Sequence, residues 1–412
     1  MEYGLIGEKL GHSYSKEIHE QIGGYAYELK EVAKEDLDAF MKAHAFLGIN
    51  VTIPYKQSVI PYLDHIDESA SKIGAVNTIV NRDGKLYGYN TDYFGLKKLI
   101  ESRFDLRGKN VLILGNGGTA RTAFSVCSDL GAKEILRVSR RAQEGTISYP
   151  EAEQKKDTDV LINTTPCGMY PNVDDFPIDL SHYPALSGVI DVIYNPLRTK
   201  LLIRAGQLSI PCAGGLPMLV FQAAAAVTLF TGKEVSDEAT MKTYKAIRAG
   251  RENIVLTGMP GAGKSTVGKM LAKKLHMEFF DTDEQIVQQE GRPITDIFEH
   301  DGEAGFRRME AELADSLKMR EHTVIATGGG FILNPVCEDA MKTYGRVVFL
   351  DRQPEKIRPT DDRPLANEQE KIQKLYEERL PKYRKSADLI IPVNGTPKEV
   401  VNEILESLES RG

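Results

Sequence analysis

No apolar run in these 412 residues approaches the roughly 18 positions that a membrane-spanning helix needs, so no membrane partner is expected. There is no basic excess either. The formal net charge of −7 argues against nucleic acid as the main partner, because binding a phosphate backbone needs a basic face. Cysteine is scarce: Cys127, Cys167, Cys212 and Cys337 are scattered, with no CxxC pair and no metal-like spacing. They read as reduced thiols of a cytoplasmic protein and argue against a structural zinc site. The first residues carry neither a basic n-region nor an apolar h-region, so no signal peptide is expected. Internal repeats are also missing. What remains is ordinary for a soluble globular protein, 41% hydrophobic and 27% charged, and the length favours two or three domains.

Short strand-like and helix-like segments alternate throughout, which predicts an α/β protein. In the front part, apolar runs at Tyr3–Ile6, Tyr25–Leu29 and Gly48–Ile53 read as strands, and Asp83-Gly84 marks a hairpin turn. A second unit begins near Lys109, with strands at Val111–Leu114, Ile135–Val138, Val160–Ile162 and Val189–Val192. Helices are expected at Gly215–Leu229 and Asp237–Ala249. A third unit starts with the strand Ile254–Thr257. The predicted boundaries are 1–103 (completed by helices near 215–250), 104–250 and 251–412.

Two glycine-rich loops of different design each follow a strand and open a helix. The first is Gly115-Asn116-Gly117-Gly118-Thr119-Ala120. Such a loop makes a tight turn, lets backbone approach a pyrophosphate and presents N–H groups at a helix N-terminus. Alone it is weak evidence, since many such loops are only turns. About 20 residues on, an NAD site shows Asp or Glu; this chain has Ser139-Arg140-Arg141, and two arginines there suit the 2′-phosphate of NADP. The competing reading is a solvated basic turn. Upstream, Pro54 fits the first turn of a helix, which sets Lys56 near a strand's carboxyl end, where α/β ligand sites gather. Lys56 also reads as a plain surface charge, Asp92 as a first-turn acid, and Ser13 and Ser15 as helix caps.

Taken in order, Gly11-His12-Ser13-Tyr14-Ser15, Asn50–Lys56, Gly74–Thr78, Asn90-Thr91-Asp92, Gly115–Ala120, Asn163–Pro166, Tyr194-Asn195-Pro196 and Gly214–Gln222 resemble shikimate dehydrogenase over roughly residues 1–248. The resemblance implies reduction of 3-dehydroshikimate to shikimate with NADPH. It implies a substrate-binding α/β domain followed by a Rossmann-like NADP domain. Substrate contacts would come from Ser13, Ser15, Thr52, Asn77, Asp92, Tyr194 and Gln222, with Lys56 and Asp92 as the catalytic pair. Gly115 to Ala120, Ser139, Arg140 and Arg141 would hold NADP, and Thr165 and Met218 would border its nicotinamide. Between Arg141 and Asp159 the chain is shorter than family members usually are, which predicts a trimmed sheet edge.

The second loop, Gly258-Met259-Pro260-Gly261-Ala262-Gly263-Lys264-Ser265-Thr266, fits the nucleoside triphosphate pattern with correct spacing. Its amides cradle phosphates, Lys264 neutralises the β/γ charge and Ser265 ligates Mg²⁺. The loop names no substrate. Asp281-Thr282-Asp283, Glu303 to Glu310, Thr327-Gly328-Gly329-Gly330 and Arg363-Pro364-Leu365 then resemble shikimate kinase over residues 252–412. That resemblance implies a P-loop kinase domain with a parallel sheet. Asp281 would hold Mg²⁺, and Asp283 would bind the reacting hydroxyl and act as base. Arg307 and Arg379 would bind the substrate carboxylate with the amides of Gly329 and Gly330. Arg363 would reach the transferring phosphate from a lid, and Arg358 would stack on adenine. Read alone, Arg307 is also a helix-surface charge, and Arg379, beside Glu377 and Glu378, looks like a solvated face. The segment Arg358 to Arg363 is shorter and more acidic than a typical lid.

The expectation is a bifunctional enzyme using NADP(H), ATP and Mg²⁺, in which the product of the front half is the substrate of the rear half. A homo-oligomer is left open. The rival readings are a quinate/shikimate-type dehydrogenase fused to a kinase for another small polyol acid, and a nucleotide-binding regulator without turnover. The second rival fits poorly with Lys56, Asp92, Lys264, Asp281, Asp283 and Arg363 all being present.

Overall fold

The structure, a computed structural model, describes residues 1–11, 13–359, 365–366 and 368–410. The chain divides into two compact units, 1–248 and 249–412. Three sheets carry the α/β architecture.

The first sheet is mixed. Its strands are β1 (Tyr3–Gly7), β2 (Glu28–Glu31), β3 (Gly48–Val51), β4 (His65–Ile66), β5 (Thr78–Arg82) and β6 (Lys85–Tyr89), in the order β2-β1-β3-β5-β6-β4. β3 is buried at all four positions and β2 is exposed at all four, as befits a centre and an edge. The edge strand lies later than the apolar run Tyr25–Leu29 predicts. The tyrosines of that run turn into the core instead. Tyr27 stacks on the buried His19 at 4.1 Å and donates to Asn50 Oδ1 at 2.7 Å, while Tyr25 packs on Tyr3. Pairing with β1 falls to the end of that run and the two polar residues after it, Glu28 to Glu31. β5 and β6 join through Asp83 (φ 53°) and Gly84 (φ 84°), both left-handed as a tight two-residue hairpin needs.

Pro54 opens no helix. Residues 53–59 form successive turns, closed by Tyr55 N–H to Thr52 O at 2.9 Å and Val59 N–H to Tyr55 O at 3.1 Å. The Tyr55 side chain pins this stretch by donating to Val32 O at 2.6 Å from a buried position. Lys56 is therefore presented from a turn anchored on both sides by its neighbours, and its own carbonyl accepts from Val76 N–H at 2.8 Å.

The second sheet is wholly parallel: β7 (Asn110–Leu114), β8 (Glu134–Val138), β9 (Val160–Asn163), β10 (Gly188–Asp191) and β11 (Cys212–Ala213), ordered β11-β10-β9-β7-β8. The chain reverses its winding at β7, so the loop leaving β7 opens at a switch point, where α/β ligand sites form. Beyond the edge strand β8 there is little structure: a single bridge between Val138 and Ile147 and the one-turn helix Tyr149–Ala152.

The second unit holds the third sheet, also parallel: β12 (Asn253–Thr257), β13 (Glu278–Asp281), β14 (Thr323–Ala326), β15 (Gly345–Asp351) and β16 (Leu389–Pro392), ordered β13-β14-β12-β15-β16. Val255, Leu256 and Val347 to Leu350 are fully buried, the mark of central parallel strands covered on both faces. β12 again lies at the reversal of strand order, with the second glycine loop at its carboxyl end. Among the described residues no helix is long and apolar enough to cross a membrane.

Candidate active sites

A cavity of about 820 Å³ opens in the first unit. Ser13, Ser15, Thr52, Lys56, Asn77, Asp92, Thr165, Tyr194 and Gln222 all line it, so residues far apart in sequence meet in one place. Lys56 Nζ donates to Asp92 Oδ2 at 2.6 Å, with 24% and 18% of the two side chains exposed. Asp92 lies in the first turn of the helix Thr91–Glu101, whose start is capped by Asn90 accepting from Tyr93 N–H. Asn77 Oδ1 accepts from Thr91 N–H at 2.7 Å, and Thr91 Oγ1 donates to Gln222 Oε1 at 3.2 Å. This chain locks the floor of the cavity to the helix Leu216–Thr231, which carries Gln222. Tyr194 packs on Tyr14, and burial raises its phenol above the ordinary value.

The first glycine loop adjoins this cavity through Thr164 and Thr165. Gly115 adopts φ 117°, and a Cβ there would stand 2.6 Å from Thr164 Oγ1, so only glycine fits. Side chains at Gly117 and Gly118 would meet nothing within 4 Å. Bare backbone thus faces open space at the start of the helix Gly118–Asp129, which has no side-chain cap. Backbone N–H groups so exposed at a helix start can receive an anionic pyrophosphate. Arg140 and Arg141 stand exposed past the end of β8, where the Ser139 hydroxyl bonds to the Arg141 carbonyl. Ala120 and Met218 lie in the core rather than on the cavity wall.

The second unit contains a cavity of about 600 Å³, lined among others by Gly261, Gly263, Lys264, Ser265, Thr266, Asp281, Asp283, Arg307, Gly329, Gly330 and Arg379. Gly258 (φ 143°), where a Cβ would stand 2.7 Å from the Leu350 carbonyl, and the fully buried Ala262 lie off the cavity wall. Lys264 Nζ donates to the loop carbonyls of Gly258 at 3.0 Å and Met259 at 2.9 Å. Ser265 Oγ donates to Asp281 Oδ2 at 2.6 Å. Asp281 ends β13 and caps the helix Thr282–Glu290, accepting from the N–H groups of Asp283 and Glu284. The strand therefore stops before Asp283, and the turn lets both carboxylates approach the loop.

Asp283 Oδ1 is buried and has no hydrogen-bond partner among the described residues. Burial pushes its carboxyl up to about 6; the nearby Lys264 pulls the other way. Arg307 sits between carboxylates, 2.7 Å from Glu310 and 2.8 Å from Glu303. Glu310 is fully buried, its Oε1 without a partner among the described residues, and burial pushes it up to about 7 against the pull of Arg307. A Cβ at Gly328 would come 2.4 Å from Asp283 Oδ1 and 3.1 Å from Glu310 Oε1, so both orphan oxygens crowd the same point. Arg379 is only 6% exposed, which overturns the solvated-face reading. Its helix, Gln369–Ser386, is held inward by Tyr383 donating to the Gly329 carbonyl and by Lys382 bonded to the buried Glu338. Arg358 is exposed and lies off the cavity wall. Arg363 falls outside the described residues, as do His12 and Pro364 of the quoted motifs.

Three family models match the chain: the shikimate dehydrogenase substrate binding domain at residues 5–79, the shikimate 5′-dehydrogenase C-terminal domain at 215–243, and shikimate kinase at 260–409. The NADP(+) shikimate dehydrogenase of Clostridium beijerinckii is 41% identical over 261 residues, covering 59% of this chain and 96% of that protein. The chain belongs to the shikimate dehydrogenase family. Among solved structures it is similar to a chorismate mutase/shikimate 5-dehydrogenase fusion protein from Clostridium acetobutylicum (TM-score 0.57, 38% identity, 60% of this chain and 96% of that one). It is also similar to shikimate 5-dehydrogenase from Thermus thermophilus in complex with NADP(H) and shikimate (TM-score 0.55, 27% identity, 60% and 99%). The rear unit is a shikimate kinase domain, so this dehydrogenase is a bifunctional enzyme of the shikimate pathway that uses NADP and ATP.

Beside these two cavities of the dehydrogenase–kinase stand Arg137 and Glu310, which the sequence motifs do not single out. Arg137, the penultimate residue of β8, donates to Asn116 Oδ1 of the glycine loop at 3.0 Å and lies over the Phe124 ring. Strand alternation was the available signal, because Arg137 shares its face with Ile135, which packs under the helix Gly118–Asp129. Glu310 was read only as a neighbour of Arg307. Its three-residue spacing from Arg307 was visible, but its complete burial was not.

Proposed function

We propose that the front unit reduces 3-dehydroshikimate and that the rear unit phosphorylates the resulting shikimate on its 3-hydroxyl. In the first cavity Ser13, Ser15, Thr52, Asn77, Tyr194 and Gln222 hold the carboxylate and hydroxyls. Lys56 stabilises the negative charge that grows on the ketone oxygen and donates the proton, while Asp92 fixes the amine. The nicotinamide coenzyme supplies the hydride when bound. Gly115 to Thr119 receive its pyrophosphate, Arg140 and Arg141 its 2′-phosphate, and Thr165 borders its ring.

In the second cavity Arg307 and Arg379 grip the substrate carboxylate as bidentate forks, with the amides of Gly329 and Gly330 beside them. Asp283 orients the attacking hydroxyl and takes its proton. Lys264, Thr266 and the loop amides position the phosphates, Arg363 reaches the transferring phosphate, and Arg358 stacks on adenine in this reading. Ser265 Oγ and Asp281 Oδ2, 2.6 Å apart, are hard oxygen donors that would hold Mg²⁺. Mg²⁺, when bound, supplies charge neutralisation on the phosphates. Positioning of this kind contributes about 7–11 kcal/mol to lowering a barrier.

The observation that carries the reading is the pairing in each unit of a phosphate-cradling glycine loop with a cavity lined for a small hydroxy-carboxylate. We assign 1–103, with helices near 215–250, to the dehydrogenase substrate domain, 104–250 to the NADP domain and 251–412 to the kinase. The four free cysteines support a cytoplasmic setting. One incubation with 3-dehydroshikimate, NADPH, ATP and Mg²⁺ tests both halves. Mass analysis should find shikimate 3-phosphate; unreacted 3-dehydroshikimate would overturn the substrate assignment of the front unit, and shikimate left unphosphorylated that of the rear unit.

A further inference from the structure

Asp191 is the last residue of β10 and is wholly buried, and the mechanism above makes no use of it. A buried carboxylate is costly unless donors surround it. Here Oδ1 accepts from the Asn163 side-chain amide at 3.1 Å and from Ile193 N–H at 3.1 Å, and Oδ2 accepts from the Thr199 hydroxyl at 2.7 Å. Burial pushes the carboxyl up to about 6 against the pull of these three bonds.

The three donors belong to two different loops. Asn163 ends β9. With its NH₂ turned to Asp191, its Oδ1 faces the next loop, where it accepts from Thr165 N–H at 3.1 Å and from the Thr165 hydroxyl at 2.7 Å. Thr165 Oγ1 accepts in turn from Cys167 N–H at 3.3 Å. Ile193 and Thr199 bracket the other loop, which presents Tyr194 to the cavity. One carboxylate therefore sets the amide orientation behind Thr165 and the backbone beside Tyr194.

We infer that Asp191 is a positioning residue for the dehydrogenase reaction, holding the coenzyme-side loop through Asn163 and the substrate-side loop through Ile193 and Thr199. The inference rests on the proposed roles of Thr165 and Tyr194. A purely structural Asp191 would lower the amount of folded enzyme and leave the Michaelis constants alone. A positioning Asp191 changes them, and changes them separately by branch.

The test measures kcat and both KM values of the full chain carrying Asp191→Asn, Asn163→Ala or Thr199→Val. Asp191→Asn should raise KM for NADPH and for 3-dehydroshikimate together and lower kcat/KM by about 10²-fold, the scale of an ångström-sized misplacement. Asn163→Ala should raise KM for NADPH alone, and Thr199→Val KM for 3-dehydroshikimate alone. A fall in kcat at unchanged KM values in Asp191→Asn, or a common shift of both KM values in the two branch variants, overturns the assignment. If Asp191→Asn fails to fold, the contrast between the branch variants decides. Wild-type turnover separates the two failures: without it the substrate reading falls and takes Asp191 with it, and with it only Asp191 is at stake.

Discussion

In the dehydrogenase cavity Lys56 meets Asp92 at 2.6 Å with both side chains partly open to water. In the kinase cavity Asp283 and Glu310 each bury a carboxylate oxygen that meets no donor among the described residues. The first arrangement is paired before any substrate arrives. The second holds two raised carboxyls beside Lys264, Arg307 and Arg379, and in the proposed reaction a substrate hydroxyl donating to Asp283 would satisfy one of the two orphan oxygens. The contrast teaches where each site pays for its chemistry: the dehydrogenase in holding one ion pair in place, the kinase in burying acids that want to be neutral.

The sharpest way to break the comparison is to disable one cavity and read the other. Lys264→Ala removes the cation of the phosphate loop and should lower shikimate phosphorylation on the order of 10³-fold, comparable to losing a preorganised transition-state donor. Dehydrogenase turnover should stay at the wild-type rate. Near-normal phosphorylation by this variant would sink the loop assignment. Lys56→Ala does the converse. It should cost the dehydrogenase at least about 10²-fold in turnover, the lower end for a general acid. Kinase activity should persist, and retained NADPH oxidation with 3-dehydroshikimate would remove Lys56 from the mechanism.

A smaller effect separates coenzyme selection from chemistry. Arg140 and Arg141 stand exposed past β8, away from the Lys56–Asp92 pair. Replacing both by alanine should lower kcat/KM with NADPH roughly tenfold or more, given that a bond to a charged group contributes about 1.5–3 kcal/mol. The rate with NADH should hardly change. Equal losses with both coenzymes would show that these arginines do not read the 2′-phosphate.

Much of this architecture was legible because local signals agreed with the fold. The strand–glycine loop–helix units at Gly115 and Gly258, the Asp83-Gly84 turn and the helix Asp237–Ala249 all lie where pattern places them. The misreadings have a common cause in tertiary contact. The tyrosines of Tyr25–Leu29 looked like a strand but pack against His19 and Tyr3. Pro54 looked like a helix start, yet Tyr55 ties its segment into turns. Arg379, directly after two glutamates in sequence, turns inward because Tyr383 and Lys382 anchor its helix. Glu310 and Asp191 stayed unnoticed for the same reason. A carboxylate's burial depends on what lies across from it, and no local spacing encodes that.

The subtlest prediction turns the kinase's buried acids into a stability measurement. The ordinary carboxyl values are 3.8 for aspartate and 4.5 for glutamate, and the folded site raises Asp283 to about 6 and Glu310 to about 7. A carboxyl raised by folding binds its proton more tightly in the native state. Its contribution to stability is therefore full below the ordinary value and is lost as pH rises through the folded one. Across roughly pH 4 to 7 these two groups should make the kinase unit less stable as pH increases, in two steps that belong to the pair rather than to either residue. Asp283→Asn removes one charge that burial disfavours. At pH 8 it should raise the midpoint of the kinase transition by roughly 2–4 °C for each kilocalorie recovered, while phosphorylation collapses for want of its base. Calorimetry on the full chain reads this, with the kinase transition recognised as the one that ATP shifts upward. The same substitution at Asp92, already paired and partly solvated, should bring no such gain. A midpoint for Asp283→Asn at or below wild type at pH 8 would mean that the kinase cavity holds its acids as comfortably as the dehydrogenase holds its ion pair, and the contrast between the two sites would fail.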